Sequence, residues 1–227
     1  MKKIFATLLV GMLAVFSFAA FEVTGGYVNT SLVATSAEDP DGDAVAIEGL
    51  DDVTMHGISV GANYLFDGLG IEGGALLVGG SFEYYFEQEF VNNDDFAAGV
   101  GTADLTSYDP DTTDEFNFDK TKQTQTNLGL NLGYRQSLNA FFPDLPFGMY
   151  VQGLFNYYFG LGDEKVVDNT LGFGGGAGAN FTVQNLDMNV GADVLFEKPT
   201  LSEDYEEVYE SEFHFRPKFK VSVGVQF

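Results

Sequence analysis

Residues 219–227, FKVSVGVQF, alternate without a break: Phe219, Val221, Val223, Val225 and Phe227 are apolar, and Lys220, Ser222, Gly224 and Gln226 between them are polar or small. A period of two puts one set on each face of an extended strand. The stretch from Gln123 to Arg135 repeats the pattern. Leu128, Leu130, Leu132 and Tyr134 share one face; Gln123, Gln125, Asn127, Gly129, Asn131, Gly133 and Arg135 share the other. Working outward from these two, eight such segments cover about 21–33, 54–66, 71–90, 118–136, 147–159, 170–183, 187–196 and 213–227. Their connections alternate too. Long ones span 34–53, 91–117, 160–169 and 197–212, whereas 67–70, 137–146 and 184–186 are mostly short turns. An even strand count with long and short connections in turn describes an all-β chain, a single eight-stranded antiparallel up-and-down barrel.

A water-soluble barrel or sandwich also alternates, so the choice rests on which face is apolar. The polar face carries Gln, Asn, Arg and Lys, too bulky and wet for a dry core, while the apolar face is rich in Phe, Tyr, Leu and Val. Lipid outside and a polar interior make sense of this, because a closed barrel is the β-structure that spans a bilayer. The expectation is a transmembrane barrel.

Composition narrows the function classes. The 227 residues carry 10 Lys plus Arg against 34 Asp plus Glu, a net charge of -24, with 45% hydrophobic residues, 23 Phe, 11 Tyr and no Cys or Trp. That is too apolar for an acidic disordered chain. No basic stripe exists to displace counterions from phosphates, which argues against a nucleic-acid partner. Without cysteine there are no disulfides, thiolate metal sites, thiol nucleophiles or lipoprotein anchor.

The N-terminus has the layout of a secretory signal peptide: Lys2 and Lys3, an apolar run from Ile4 to Phe18, then small residues. Ser17 and Ala19 place cleavage after Ala19, dividing the chain into a signal at 1–19 and a barrel domain at 20–227. An uncleaved anchor is the competing reading, but the run is shorter than the roughly 20 residues a spanning helix needs. Removing Lys2 and Lys3 leaves 8 basic and 34 acidic residues, a net -26.

With its signal peptide, eight strands and terminal FKVSVGVQF, the chain resembles the small outer-membrane β-barrel proteins of Gram-negative-type bacteria over nearly all of residues 20–227. The resemblance implies an outer-membrane location reached by export to the periplasm, with both termini periplasmic and four loops outside. It further implies that Phe219, Val221, Val223, Val225 and Phe227 are read by the barrel-insertion machinery. Tyr and Phe would have to form the interfacial girdles, since Trp is absent.

Eight strands leave an interior just wide enough for side chains to fill it. If the last strand points its even residues inward, His214, Arg216, Lys218 and Lys220 enter the lumen opposite Asp193 and Glu197 of the strand before it. Pairing across the 197–212 loop that keeps inward opposite inward sets Asp193 near Lys218 and Glu197 near His214. Buried charges need partners, so this set reads as a structural network; a proton or solute relay is the functional alternative. Gly172, Gly174, Gly176 and Gly178 fall on the same inner face, where Tyr150, Leu154 and Tyr158 would lie over them.

Enzymatic barrels commonly use a His as general base. His56 falls on the apolar outer face and His214 in the lumen, with Ser211 as the nearest hydroxyl in sequence, and no Ser/His/acid set emerges. The chain reads as non-enzymatic.

The four long connections hold 24 acids against 2 bases, a net -22 at one rim. Without counterions these loops should splay apart. EDPDGD at 38–43 and DPDTTDE at 109–115 offer oxygen ligands, so Ca2+ or Mg2+ at Asp39, Asp41, Asp43, Asp109 and Asp111 is a weak-site expectation beside the plain solvated surface. Lys120 and Lys122 point outward near the same rim, where lipopolysaccharide phosphates are one partner. The favoured role is structural or surface interaction by a monomer; a small channel or carrier for ions or small apolar solutes is the alternative.

Overall fold

A computed structural model of the chain describes residues 19–38, 41, 43–67, 71–101, 105, 116–145, 147–212 and 217–227. The signal-peptide assignment falls on residues outside this set, apart from Ala19, and so do Asp39, Asp109, Asp111, His214 and Arg216.

The alternating segments form strands β1 (Ala19–Leu32), β4 (Val53–Asp67), β5 (Gly74–Phe90), β6 (Thr121–Ser137), β7 (Gly148–Leu161), β8 (Val167–Val183), β9 (Leu186–Leu201) and β10 (Lys218–Gln226). Each pairs antiparallel with its neighbours, and β10 pairs with β1 to close an eight-stranded barrel. The closing seam ends where Phe227 and Phe21 exchange backbone bonds, Phe227 N to Phe21 O at 2.8 Å and Phe21 N to Phe227 O at 3.1 Å. Both chain ends described therefore lie at the short-turn end. Gln184 and Asn185 join β8 to β9 with φ of 50° and 68°, the two positive values that a tight hairpin of right-handed twist demands.

Burial follows the alternation with the usual sense reversed. Along β4 the pattern alternates strictly from Thr54 to Leu65; Ser59 and Asn63 are buried, while Ile58 and Val60 are more than half exposed. The outer belt is aliphatic at mid-height, through Leu128, Leu130, Leu132, Val221 and Val223. Aromatic rings border it. Phe21 meets Tyr64 (5.0 Å) and Phe227 (6.5 Å) at the turn end; Tyr157 meets Phe159 (4.9 Å) and Tyr84 meets Phe86 (6.1 Å) toward the loops. His56 is exposed on this outer face, bonded to the Tyr27 hydroxyl.

The loops do not splay. The first holds a small hairpin of β2 (Ser36–Glu38) and β3 (Ala44–Ala46), and the second holds helix α1 (Asn93–Val100), capped by the Asn92 side chain accepting from Asp95 N at 2.8 Å. Ile47, Leu50, Phe96, Phe118, Tyr205, Val208 and Tyr209 are buried among them and continue into Val28, Met55 and Phe90 of the barrel. Backbone bonds tie the loops together: Thr35 N to Val208 O (2.7 Å), Glu210 N to Val33 O (2.9 Å) and Asn93 N to Asp204 O (2.7 Å). Each large apolar side chain buried here contributes about 1.5–3 kcal/mol, which outweighs repulsion between solvated carboxylates on the order of tenths of a kcal/mol per pair. The acidic loops form a folded cap over one end of the barrel.

Candidate functional site in the barrel lumen

The inward faces of the eight strands bring polar side chains into two tiers. Nearer the turn end, Arg135 of β6 grips Glu22 of β1 with both ends of its guanidinium, Nη1 to Oε2 at 2.7 Å and Nη2 to Oε1 at 3.1 Å. Its Nε donates to Gln152 Oε1 at 3.0 Å, and its plane lies 4.2 Å over the Tyr150 ring. Asn189 Nδ2 donates to Glu22 (2.7 Å), and Gln152 Nε2 donates to Asp193 Oδ1 (2.6 Å). A bidentate pair of this kind fixes orientation as well as charge, and here it ties β1 to β6 across the barrel.

Nearer the loops, Lys218 of β10 donates to Glu83 of β5 at 2.7 Å and to Glu197 of β9 at 3.0 Å. All three are nearly or fully buried; Lys218 is 1% exposed and Glu83 not at all. Tyr85 donates to Glu83 (2.9 Å), Thr30 to Glu197 (3.0 Å), and the Lys218 ammonium lies 3.8 Å from the centre of the Tyr158 ring. Both carboxylates thus share one cation and each accepts one further hydrogen bond, as burial favours, while Glu83 Oε1 is buried without a partner among the described residues.

The parity of the site residues is as expected: Asp193, Glu197, Lys218 and Lys220 line the interior, and Phe219, Val221, Val223 and Phe227 are exposed outside, with Val225 half-buried at the end of the same face. The partners are not. Lys218 stands opposite Leu195, and it is Lys220 that stands opposite Asp193, so the expected Asp193 to Lys218 contact is wrong by two residues. A slip of two keeps every side chain on its own face, so the alternation cannot detect it. Glu197, expected beside His214, instead binds Lys218 and Thr30. Glu22, Glu83, Arg135 and Gln152 were missed as members of the network. Their signal was the isolated charge or amide on the polar face of a strand, which Arg135 already showed.

The glycines of β8 are shielded differently from expectation. The Tyr150 hydroxyl occupies the space that a Cβ on Gly178 would need and lies against Gly191 of β9, whereas Tyr158 covers Gly129 and Leu154 covers Gly133, both on β6. Gly174 faces the β9 backbone at Val194. Tyrosine cover is real, but it spreads over three strands because inward rings lean diagonally across the pleat.

Little space remains. A polar cavity of about 40 Å3 lies between Lys220, Asp193, Asn156 and Asn131, and another of about 20 Å3 lies between Thr30, Asn127, Thr170 and Glu197. Tyr85, of the Lys218 and Glu83 group, lines the smaller of the two. Such spaces hold a water or two.

Outside the lumen, Lys120 pairs with Asp51 (3.6 Å) and Lys122 with Glu87 (3.5 Å) at the outer rim. Tyr209, in the cap, has its hydroxyl pushed up to about 12 by burial, against the acceptance of a bond from Val91 N; burial first and Asp204 second raise Tyr205. Among the described residues, which include Asp41 and Asp43, no group of three or more His, Asp or Glu side chains is placed to hold a metal ion. The chain matches no protein-family model, and no curated protein matches its sequence.

Proposed function

We propose that the chain is a bacterial outer-membrane protein of structural, non-enzymatic role, whose closed barrel holds a folded acidic cap at the outer surface, with residues 20–227 as the mature protein and both termini periplasmic. The observation that carries this reading is the pairing of an apolar outer belt between aromatic rows with a lumen filled by polar side chains and ion pairs. In water such an outer surface would aggregate. In lipid it is the favourable face, and strands of 14 to 17 residues, as seven of the eight are, exceed the roughly 9–11 that cross a bilayer. The partners that follow are membrane lipid and the insertion machinery at Phe227; Lys120 and Lys122, which the sequence offered to lipopolysaccharide phosphates, are paired with Asp51 and Glu87.

A filled lumen favours the structural role over the channel. A solute passing along the axis has to part Lys218 from both Glu83 and Glu197, leaving buried charges uncompensated. The test is reconstitution of residues 20–227 in a planar bilayer. Insertion without conductance steps is expected; steady conductance steps would establish the channel, and failure to enter lipid would remove the membrane reading.

A further inference from the structure

The barrel wall has a notch. Pairing of β4 with β5 begins at Gly57 opposite Tyr85, although both strands run further toward the loops. Val53–His56 continue paired only with β1, and after a bulge between Tyr85 and Gln88 the end of β5 continues paired only with β6. Phe86 and Glu87 are both exposed, as an extra residue in the bulged strand requires. Among the described residues, nothing pairs with the facing edges of these two stretches.

A cavity of about 410 Å3 occupies the gap, with Val53 and Thr54 on one side, Glu87, Gln88 and Glu89 on the other, and Val91 and Tyr209 at its floor. Unpaired strand edges are templates for another strand. Tyr209 adds a directed group. It is 2% exposed, its hydroxyl accepts from Val91 N at 3.1 Å, and no hydrogen bond among the described residues uses its proton. The raised pKa keeps that proton in place at any ordinary pH. The rim of the notch holds Asp51, Asp52, Glu87 and Glu89 against Lys120 and Lys122, an excess of two carboxylates that disfavours an anionic headgroup.

We propose that this notch takes an extended basic peptide segment of a partner by strand addition, its backbone pairing with the free edges, one of its carbonyls accepting from Tyr209 and its Lys or Arg side chains meeting Glu89 and competing with Lys120 and Lys122 for Asp51 and Glu87. Main-chain bonds supply affinity in such docking, and alternate side chains supply selectivity. The site depends on the barrel being folded and not on which membrane holds it, so its test is separate from the bilayer experiment.

Residues 20–227 refolded in neutral detergent micelles are titrated with three labelled hexapeptides: alternating Lys and Val, alternating Glu and Val, and the Lys and Val peptide N-methylated at alternate amides. The first is expected to bind at least about tenfold more tightly than the other two. It should also slow hydrogen exchange at amides of Val53–His56 and Phe86–Phe90 that bond to neither β1 nor β6. Glu87→Lys with Glu89→Lys should weaken it by about tenfold or more. Equal binding of the N-methylated peptide would mean adsorption to the acidic rim and overturn the proposal, a result that needs no variant to fold. Slow exchange at both edges before any peptide is added would show that the chain fills its own notch, and would overturn it as well.

Discussion

Lys218 is the single side chain on which the loop-end tier of the lumen turns. Replacing it with Met keeps the apolar stem and leaves Glu83 and Glu197 as buried carboxylates without a cation, which should cost about 3–5 kcal/mol in urea unfolding from micelles. Glu83→Gln combined with Lys218→Met should recover a large part of that loss. Asp193→Asn should add to Lys218→Met without coupling, since Asp193 bonds to Gln152 and stands opposite Lys220. Strong coupling to Asp193 would restore the register first expected. Tyr209 makes the second residue-scale prediction. Its hydroxyl ionises near 10 when unfolded and at about 12 in the cap. Between those values the unfolded chain ionises and the folded one does not. Stability present below pH 10 is therefore lost as pH rises through the window, by about 2–3 kcal/mol at its top. Tyr209→Phe orphans Val91 N and should cost about 1–3 kcal/mol at neutral pH. That deficit should shrink toward pH 12, and the phenolate absorbance difference between parent and variant should show one tyrosine titrating late.

At the scale of the strand, a period of two made the faces legible and left the registers open. The described lumen residues that alternation singled out, Asp193, Glu197, Lys218 and Lys220, lie on the expected side, yet the β9 to β10 register was off by two because alternation is blind to even slips. What sets it is the closed wall as a whole: β10 must also match β1, where Val23 faces Val225 and Asn29 faces Phe219. The cap was illegible for a different reason. Ile47, Leu50, Phe96, Phe118, Tyr205 and Val208 stand singly among carboxylates, with no period to mark them, and become a core when four loops converge. The seam between β1 and β10 leads to an assembly prediction. Phe227 supplies both backbone bonds to Phe21 and, among the described residues, the most exposed ring of the outer belt, at 73%. Deleting it removes both bonds at the point of closure, and Phe227→Asp places a charge at the edge of the apolar outer belt. Either variant should fail to give the compact, heat-modifiable band of a folded barrel in membrane fractions. A Phe227→Tyr variant, which keeps the bonds and the ring, should assemble as the parent does. Equal assembly of the deletion would mean that closure does not depend on this residue.

The whole molecule combines a barrel whose polar side faces in with a cap whose apolar side faces in, joined where Val28, Met55, Tyr85 and Phe90 belong to both. The cap carries most of the net charge, and two forces compete in it. Apolar burial together with the loop-to-loop backbone bonds pulls the loops together, while repulsion among the carboxylates pushes them apart and is weakened by salt. With on the order of ten large apolar side chains at about 1.5–3 kcal/mol each, burial wins without any bound cation. A protease that cuts after acidic residues has many candidate sites here, so resistance to it reports packing directly. The folded protein in micelles should resist such cleavage at residues 41–52 and 201–212 in sodium chloride alone, with magnesium or calcium at equal ionic strength adding little. Phe90→Ala should remove that resistance, because Phe90 is 1% exposed and its ring packs edge-on to Tyr205 (6.1 Å) and Tyr209 (6.3 Å), coupling the wall to the last loop. If divalent cations protect the parent much more than sodium does, charge rather than apolar packing holds the cap, and cation sites among the acidic loops become the explanation to pursue.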